Sequence, residues 1–207
     1  MNLDSELQTS ARRLLSIVNG VVQRTPFPHV VVPDCIDQGF AECLLTWFER
    51  DAPWRACSID DFYQLFDLDL RAVGLPSDLG ILLDDAFLEH LRISVAVLLE
   101  TRLSPRIDVT AHKMLPGCRI GIHNDFGATG QTHRLLIHLN RGWRAEDGGL
   151  LMLFGEERPS ADSKDTKCFV PHHGRAIGFE ISPRSFHAVS RVTSGERYAI
   201  CFSFYAV

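Results

Sequence analysis

From residue 105 to the C-terminus the chain is cut into short β-prone runs, and that pattern limits the folds open to it. The runs are residues 106–114, 119–123, 134–140, 150–154, 175–180, 187–191 and 197–204. Turn chemistry separates them: Pro116-Gly117, the glycines of 127–130, Gly148-Gly149, Pro183 and Ser194-Gly195. Short strands at this spacing predict a sandwich or jelly roll.

The first half reads differently. Leu3, Leu7, Ala11, Leu14, Leu15, Val18 and Val21 recur in steps of three and four, which predicts an amphipathic helix over 3–24, stopped by Pro26 and Pro28. A β-branched strand over 27–32 follows. Asp37 is placed to cap a second helix running to about Arg50, with Phe40, Ala41, Leu44, Leu45 and Phe48 on its buried face. A third helix is expected from about Asp84 to Thr101, burying Leu88, Leu91, Val95, Leu98 and Leu99. Between them, alternation from Phe66 onward predicts an edge strand whose acids form a solvated face. The polar stretch 155–174 predicts a long loop, and beside a reactive site a lid. With 207 residues the chain suits a single domain, 1–104 packing helices and a first strand on a 105–207 jelly-roll core.

The chemistry begins at His123-Asn124-Asp125, at the end of one β-run and before a Gly-rich turn. Alternation along a strand would aim His123 and Asp125 at one point. His187, in Ser185-Phe186-His187-Ala188-Val189, supplies the partner for a two-His, one-carboxylate facial triad. Such a triad holds ferrous iron and leaves the opposite positions open.

Composition excludes other classes. The net charge of -5 and pI near 6.0 give no basic footprint for nucleic acid. Cys35, Cys43, Cys57, Cys118, Cys168 and Cys201 form no C-x-x-C pair and read as free thiols. The acidic start is unlike a signal peptide, and no apolar run approaches membrane-spanning length, so a cytoplasmic protein is expected, with no membrane partner.

The second half resembles the Fe(II)/2-oxoglutarate-dependent oxygenases, in their prolyl-hydroxylase-like branch. The motifs are P-G-C-R-I-G-I-H-N-D, R-L-L-I-H-L-N-R-G-W, E-D-G-G-L-L-M-L-F and F-H-A-V-S-R-V-T-S-G-E-R-Y-A-I, in order, with F-P-H-V-V-V-P-D resembling the family's first strand. The resemblance implies a mainly β fold with flanking helices, a double-stranded β-helix of the jelly-roll, cupin-like kind. It implies His123, Asp125 and His187 as iron ligands and Arg197 as the partner of the distal 2-oxoglutarate carboxylate. His138 stands, as a departure, where relatives often have Tyr to help hold that carboxylate; the second donor is expected to be His138 or a different residue in its stead. Relatives also often carry Tyr upstream of the H-x-D, where this chain has Lys113 or Met114.

The implied activity is a dioxygenase that consumes Fe(II), 2-oxoglutarate and O2, with ascorbate a candidate reductant, and hydroxylates an unactivated C–H bond. The expected substrate is an amino-acid side chain of a peptide or protein, with a free amino acid or small metabolite as the alternative. A non-catalytic jelly-roll binding module is the rival from another class, disfavoured by an intact triad with Arg197. A nucleic-acid demethylase is disfavoured by the acidic balance. Other residues carry bland readings: His29 and His90 as packing or surface, His112, His133, His172 and His173 as structural, Gly148-Gly149 as a bend without chemistry, Trp143 as core or rim, and Arg191 on the surface. Arg119, Arg134 and Arg191 stay open as partners for a small carboxylate.

Overall fold

The computed structural model describes residues 14–160 and 163–207. Its strands are paired antiparallel in one continuous sheet. The order is β1 (Val21–Gln23), β2 (His29–Val32), β10 (Ala176–Glu180), β7 (His133–His138), β12 (Arg197–Ala206) and β5 (Leu103–Met114). It continues through β4 (Tyr63–Asp69), β6 (Ile120–His123), β11 (Phe186–Val189), β8 (Leu151–Phe154) and β9 (Lys167–Phe169), with β3 (Arg55–Ile59) attached to β4.

Two cores show how the sheet is bent. One packs the outer face of the central strands against the helices: Val109 and Ala111 of β5, Leu135 and Ile137 of β7, and Tyr198, Ile200, Phe202 and Phe204 of β12. Leu44 and Phe48 of helix α1 (Gln38–Arg50) and Leu88 and Leu91 of helix α3 (Asp85–Leu98) complete it. The other core joins Leu136 of β7, Cys201 of β12, Ile120 of β6, Leu153 of β8 and Val189 of β11. Strands from both ends of the order share that core, so the sheet curls over on itself as a double-stranded β-helix. The period of two decides which side chains turn inward. On β5, Thr110, His112 and Met114 alternate with the helix-facing residues; on β7, Arg134, Leu136 and His138; on β12, Arg197, Cys201 and Ser203.

Helix α1 starts where the sequence places it: the Asp37 carboxylate accepts from the Phe40 backbone N–H at 2.9 Å. Asp84 caps α3 in the same way through Ala86. The short helix α2 (Leu70–Val73) is capped by Asp69, which gives one acid of the supposed solvated face a structural duty.

Three expectations are corrected. The helix over 3–24 lies partly outside the described residues, and where described its C-terminal part is the strand β1. Val18, Val21 and Val22 are exposed, and Gly20 leaves the turn, where a Cβ would meet Val30 at 2.6 Å. β-Branched residues that pair with β2 imitated helical spacing. The strand from Phe66 is no edge: β4 begins at Tyr63 and lies between β5 and β6 while also carrying β3. β3, Arg-Ala-Cys-Ser-Ile, has no apolar alternation to announce it. The stretch 155–174 is not one loop, because Lys167–Phe169 folds back as β9 on β8. No described helix is long and apolar enough to cross a membrane.

Candidate metal centre

β6 and β11 are antiparallel neighbours in which His123 lies opposite His187. The pairing brings the two rings to 4.2 Å between centroids. Each ring is oriented alike. His123 Nδ1 donates to the Gly121 carbonyl at 2.8 Å and His187 Nδ1 to the Ser185 carbonyl at 2.9 Å. A carbonyl only accepts, so Nδ1 keeps its proton, and Nε2 is the ring nitrogen left to face a metal. Burial, with the neighbouring His187, lowers the His123 pKa and keeps that ring neutral.

Asp125 reaches the same point by a different route from the expected one. β6 ends at His123, and Asp125 sits beyond it in a turn with φ of 57°. A left-handed residue, rather than strand alternation, swings the carboxylate back. Asn124 holds the turn, accepting from the Phe126 N–H at 3.1 Å and donating to the Pro183 carbonyl at 3.3 Å. Asp125 Oδ1 lies 3.5 Å from His123 Nε2, and Oδ2 lies 3.2 Å from His187 Nε2. One ligand atom from each of the three residues falls within 4.8 Å of the others. Burial raises the Asp125 pKa, but His187 and Arg134 outweigh it and hold the carboxyl well below its usual range. Two imidazole nitrogens and one carboxylate make a donor set that suits ferrous iron.

Two spaces adjoin this site: all three residues line the inner one, and His123 and Asp125 also line the outer one. The inner one is a cavity of about 170 Å³, below the ~300–1,000 Å³ of typical ligand clefts, so it suits a small molecule. Its lining includes Arg197, Arg134, His112, Tyr63, Thr110 and Ser203. The outer one is an open groove of about 720 Å³ bordered by Ile59, Phe62, Phe126, Phe186 and Glu157. Tyr63, His123 and Asp125 border both.

Arg197 is the unusual charge. It is buried, its Nε donates to the Gly149 carbonyl at 2.8 Å, and its Nη1 lies 3.7 Å from Met114 Sδ. No carboxylate pairs with it among the described residues, and burial lowers its pKa to about 10. A buried cation with only neutral acceptors is costly unless an anion joins it. Gly149 seats it: with φ of 62°, a Cβ there would meet the Arg197 Cδ at 2.7 Å. At Gly148 a Cβ would fall 2.0 Å from the Arg191 carbonyl. The Gly148-Gly149 pair therefore holds the guanidinium in place and is not a featureless bend.

His138 does not line the cavity. It is fully buried with no hydrogen-bond partner on either ring nitrogen, and burial, with Arg197 and Arg175 nearby, keeps it neutral. The alternation Thr110-His112-Met114 puts His112 in the lining instead, its pKa lowered to about 3 by burial and by Arg134 and Arg197. Tyr63 of β4, another lining residue, went unnoticed in the sequence, as did the role of Arg134. Arg134 pairs with Asp125 and donates from Nη2 to Gln131 Oε1 at 2.9 Å. Trp143 is core, its Nε1 donating to the Gly148 carbonyl at 2.9 Å. Arg119 and Arg191 bond backbone carbonyls of Asp61 and Gly117 away from the cavity.

The chain has recognisable relatives. Residues 109–205 match the model of the 2OG-Fe(II) oxygenase superfamily. Prolyl 3-hydroxylase OGFOD1 from Mus musculus is 29% identical over 180 residues, spanning 86% of this chain but 32% of that protein. The chain thus spans about a third of that relative's length. A Pseudomonas putida prolyl-4-hydroxylase superposes with a TM-score of 0.62 at 20% identity, covering 82% of this chain and 85% of its own. A Trichoplax adhaerens prolyl hydroxylase, solved with a hypoxia inducible factor peptide fragment, gives 0.66 at 13% identity, covering 98% and 91%. At these identities the two structures speak for the fold.

Proposed function

We propose, from the match of residues 109–205 to the 2OG-Fe(II) oxygenase superfamily, that this chain is a 2-oxoglutarate-dependent hydroxylase of an amino-acid side chain in a peptide or protein. The observation that carries the reading is the junction at His123 and Asp125 between a small, more enclosed cavity and a larger, more open groove. His123, Asp125 and His187 would hold Fe(II). Arg197 would take the distal carboxylate of 2-oxoglutarate at the closed end, a planar fork on a planar anion. His112, neutral and in the lining, takes the place of second polar partner that the sequence assigned to His138. When bound, iron and 2-oxoglutarate supply the oxidising power, consuming O2 and releasing succinate and CO2; ascorbate would restore iron oxidised in idle turnovers.

The protein's own work is positional. The Nδ1 bonds fix both rings, and the apolar lining of Ile120, Leu136, Leu151 and Val189 limits water beside the reacting groups. The groove, open to solvent and edged by Phe62, Phe126 and Phe186, fits an extended chain laid across the mouth. Arg134 gives the free amino acid its one structural argument as a second reading, since it is a cation in the cavity. It is already committed to Asp125 and Gln131, which leaves the peptide ahead.

The test is succinate release by the Fe(II)-loaded protein against peptides, proteins and free amino acids. Turnover with peptides supports the proposal; strong turnover with a free amino acid and none with peptides containing it overturns the substrate class. Because Asp125 occupies the position that a halide would need, product formed in excess chloride should gain oxygen only by mass spectrometry. A chlorinated product contradicts the assignment. Gly149→Ala should cut succinate release at least about tenfold by displacing Arg197, with an added backbone strain of ~1–3 kcal/mol visible as a lower Tm. Unchanged release would separate Gly149 from the cosubstrate end.

A further inference from the structure

The two oxygens of Asp125 have different surroundings. Oδ1 lies 3.5 Å from His123 Nε2. Oδ2 lies 3.2 Å from His187 Nε2 and also receives the Arg134 guanidinium. Arg134 has little freedom to let go. Its side chain is 17% exposed, it rises from β7 into the cavity, and Gln131 Oε1 holds its other arm at 2.9 Å.

We infer, on the metal assignment proposed above, that Arg134 is a positioning residue that keeps Asp125 bound to the metal through one oxygen. Fe(II) held by two imidazoles and one carboxylate oxygen would, if octahedral, have three positions left. A 2-oxoglutarate chelated through its keto oxygen and carboxylate would fill two of these and leave one for the oxidant. A carboxylate that closed on the ion with both oxygens would take up that last position. The Arg134 guanidinium blocks that closure twice over. It occupies a lone pair of Oδ2, and its charge disfavours a divalent cation at the same oxygen. The φ of 57° at Asp125 sets where the carboxylate stands, and the guanidinium sets which oxygen it offers.

The experiment loads the protein with Fe(II) without oxygen and adds 2-oxoglutarate to saturation. Nitric oxide, an oxygen surrogate, is then added, and its paramagnetic iron–nitrosyl signal is read beside the visible charge-transfer band of chelated 2-oxoglutarate. Wild type and Arg134→Lys, which keeps a cationic donor, should give both. Arg134→Met should bind iron and show the band, since two positions remain, yet lose at least about tenfold of the nitrosyl signal, and should bind Co(II) alone about threefold or more tighter. If Arg134 merely attracted the anion, Arg134→Met would need more 2-oxoglutarate but give the full nitrosyl signal at saturation, which overturns the inference. If Arg134→Met does not melt cooperatively, Gln131→Ala serves instead: a weakened nitrosyl signal supports the role and an unchanged one overturns it. Wild type that takes up neither Fe(II) nor 2-oxoglutarate would bring down the metal assignment itself, a failure distinct from a full nitrosyl signal in the variant.

Discussion

Arg197→Ala should weaken 2-oxoglutarate binding by at least about thirtyfold while leaving Fe(II) binding within a small factor. Removing one partner of a buried, hydrogen-bonded charge pair costs ~2–5 kcal/mol or more, and each ~1.4 kcal/mol is a factor of ten. The guanidinium is buried and paired only with the Gly149 carbonyl and the Met114 sulfur, so its charge has no other anion to serve among the described residues. Calorimetric titration of 2-oxoglutarate into the Mn(II)-loaded variant reads the effect. Unchanged affinity would show that the cosubstrate lies elsewhere. The same argument has a second, opposite consequence for stability. Ligand-free Arg197→Met should melt no lower than wild type, because an apolar side chain of similar length carries no charge to desolvate.

His187→Ala should abolish turnover while the fold survives. Even groups that stand behind a metal ligand commonly change activity or affinity by ~10–100-fold when removed, so loss of the ligand itself should exceed that. His187 packs its ring 4.9 Å from Phe179 at the border of the inner core, while Leu136, Leu151, Leu153 and Ile177 carry the rest of that core, so the variant should melt lower but keep its far-ultraviolet dichroism and a cooperative transition. A His187→Ala protein that turns over at the wild-type rate would remove His187 from the metal. The same measurement on Asp125→Ala and His123→Ala tests the set as a unit.

The readable parts of this sequence were those where one local rule governs. Asp37 and Asp84 stand before apolar-periodic runs, and both cap helices. The turn residues after 105 cut the chain close to where the strands end. His123, Asp125 and His187 could be named together because short motifs surround each. What stayed hidden needed knowledge of the third dimension. Arg134 is an ordinary strand residue until β7 is placed beside Asp125. His112 looked structural, although Ile107-Val109-Ala111 on one face and Thr110-His112-Met114 on the other already separate a packed side from a polar one. His138 followed Leu136 inward as alternation requires, but it is not part of the cavity wall. The early helix failed because valines spaced for a helix serve equally well in a hairpin once Asn19-Gly20 turns the chain.

The opposition of His123 and His187 across β6 and β11 also bears on when the site comes into being. Neither ring is near the other along the chain; their meeting depends on a strand pairing of long sequence separation within the curled sheet. Contacts of that kind carry a large loop-closure cost and are slow to form, after local helices and hairpins. A chain still folding therefore offers a divalent ion scattered histidines and no chelate. With the metal placed as proposed, its capture would be confined to molecules whose sheet has already closed, and the ion would act as a late lock on the finished fold rather than as a seed for its assembly.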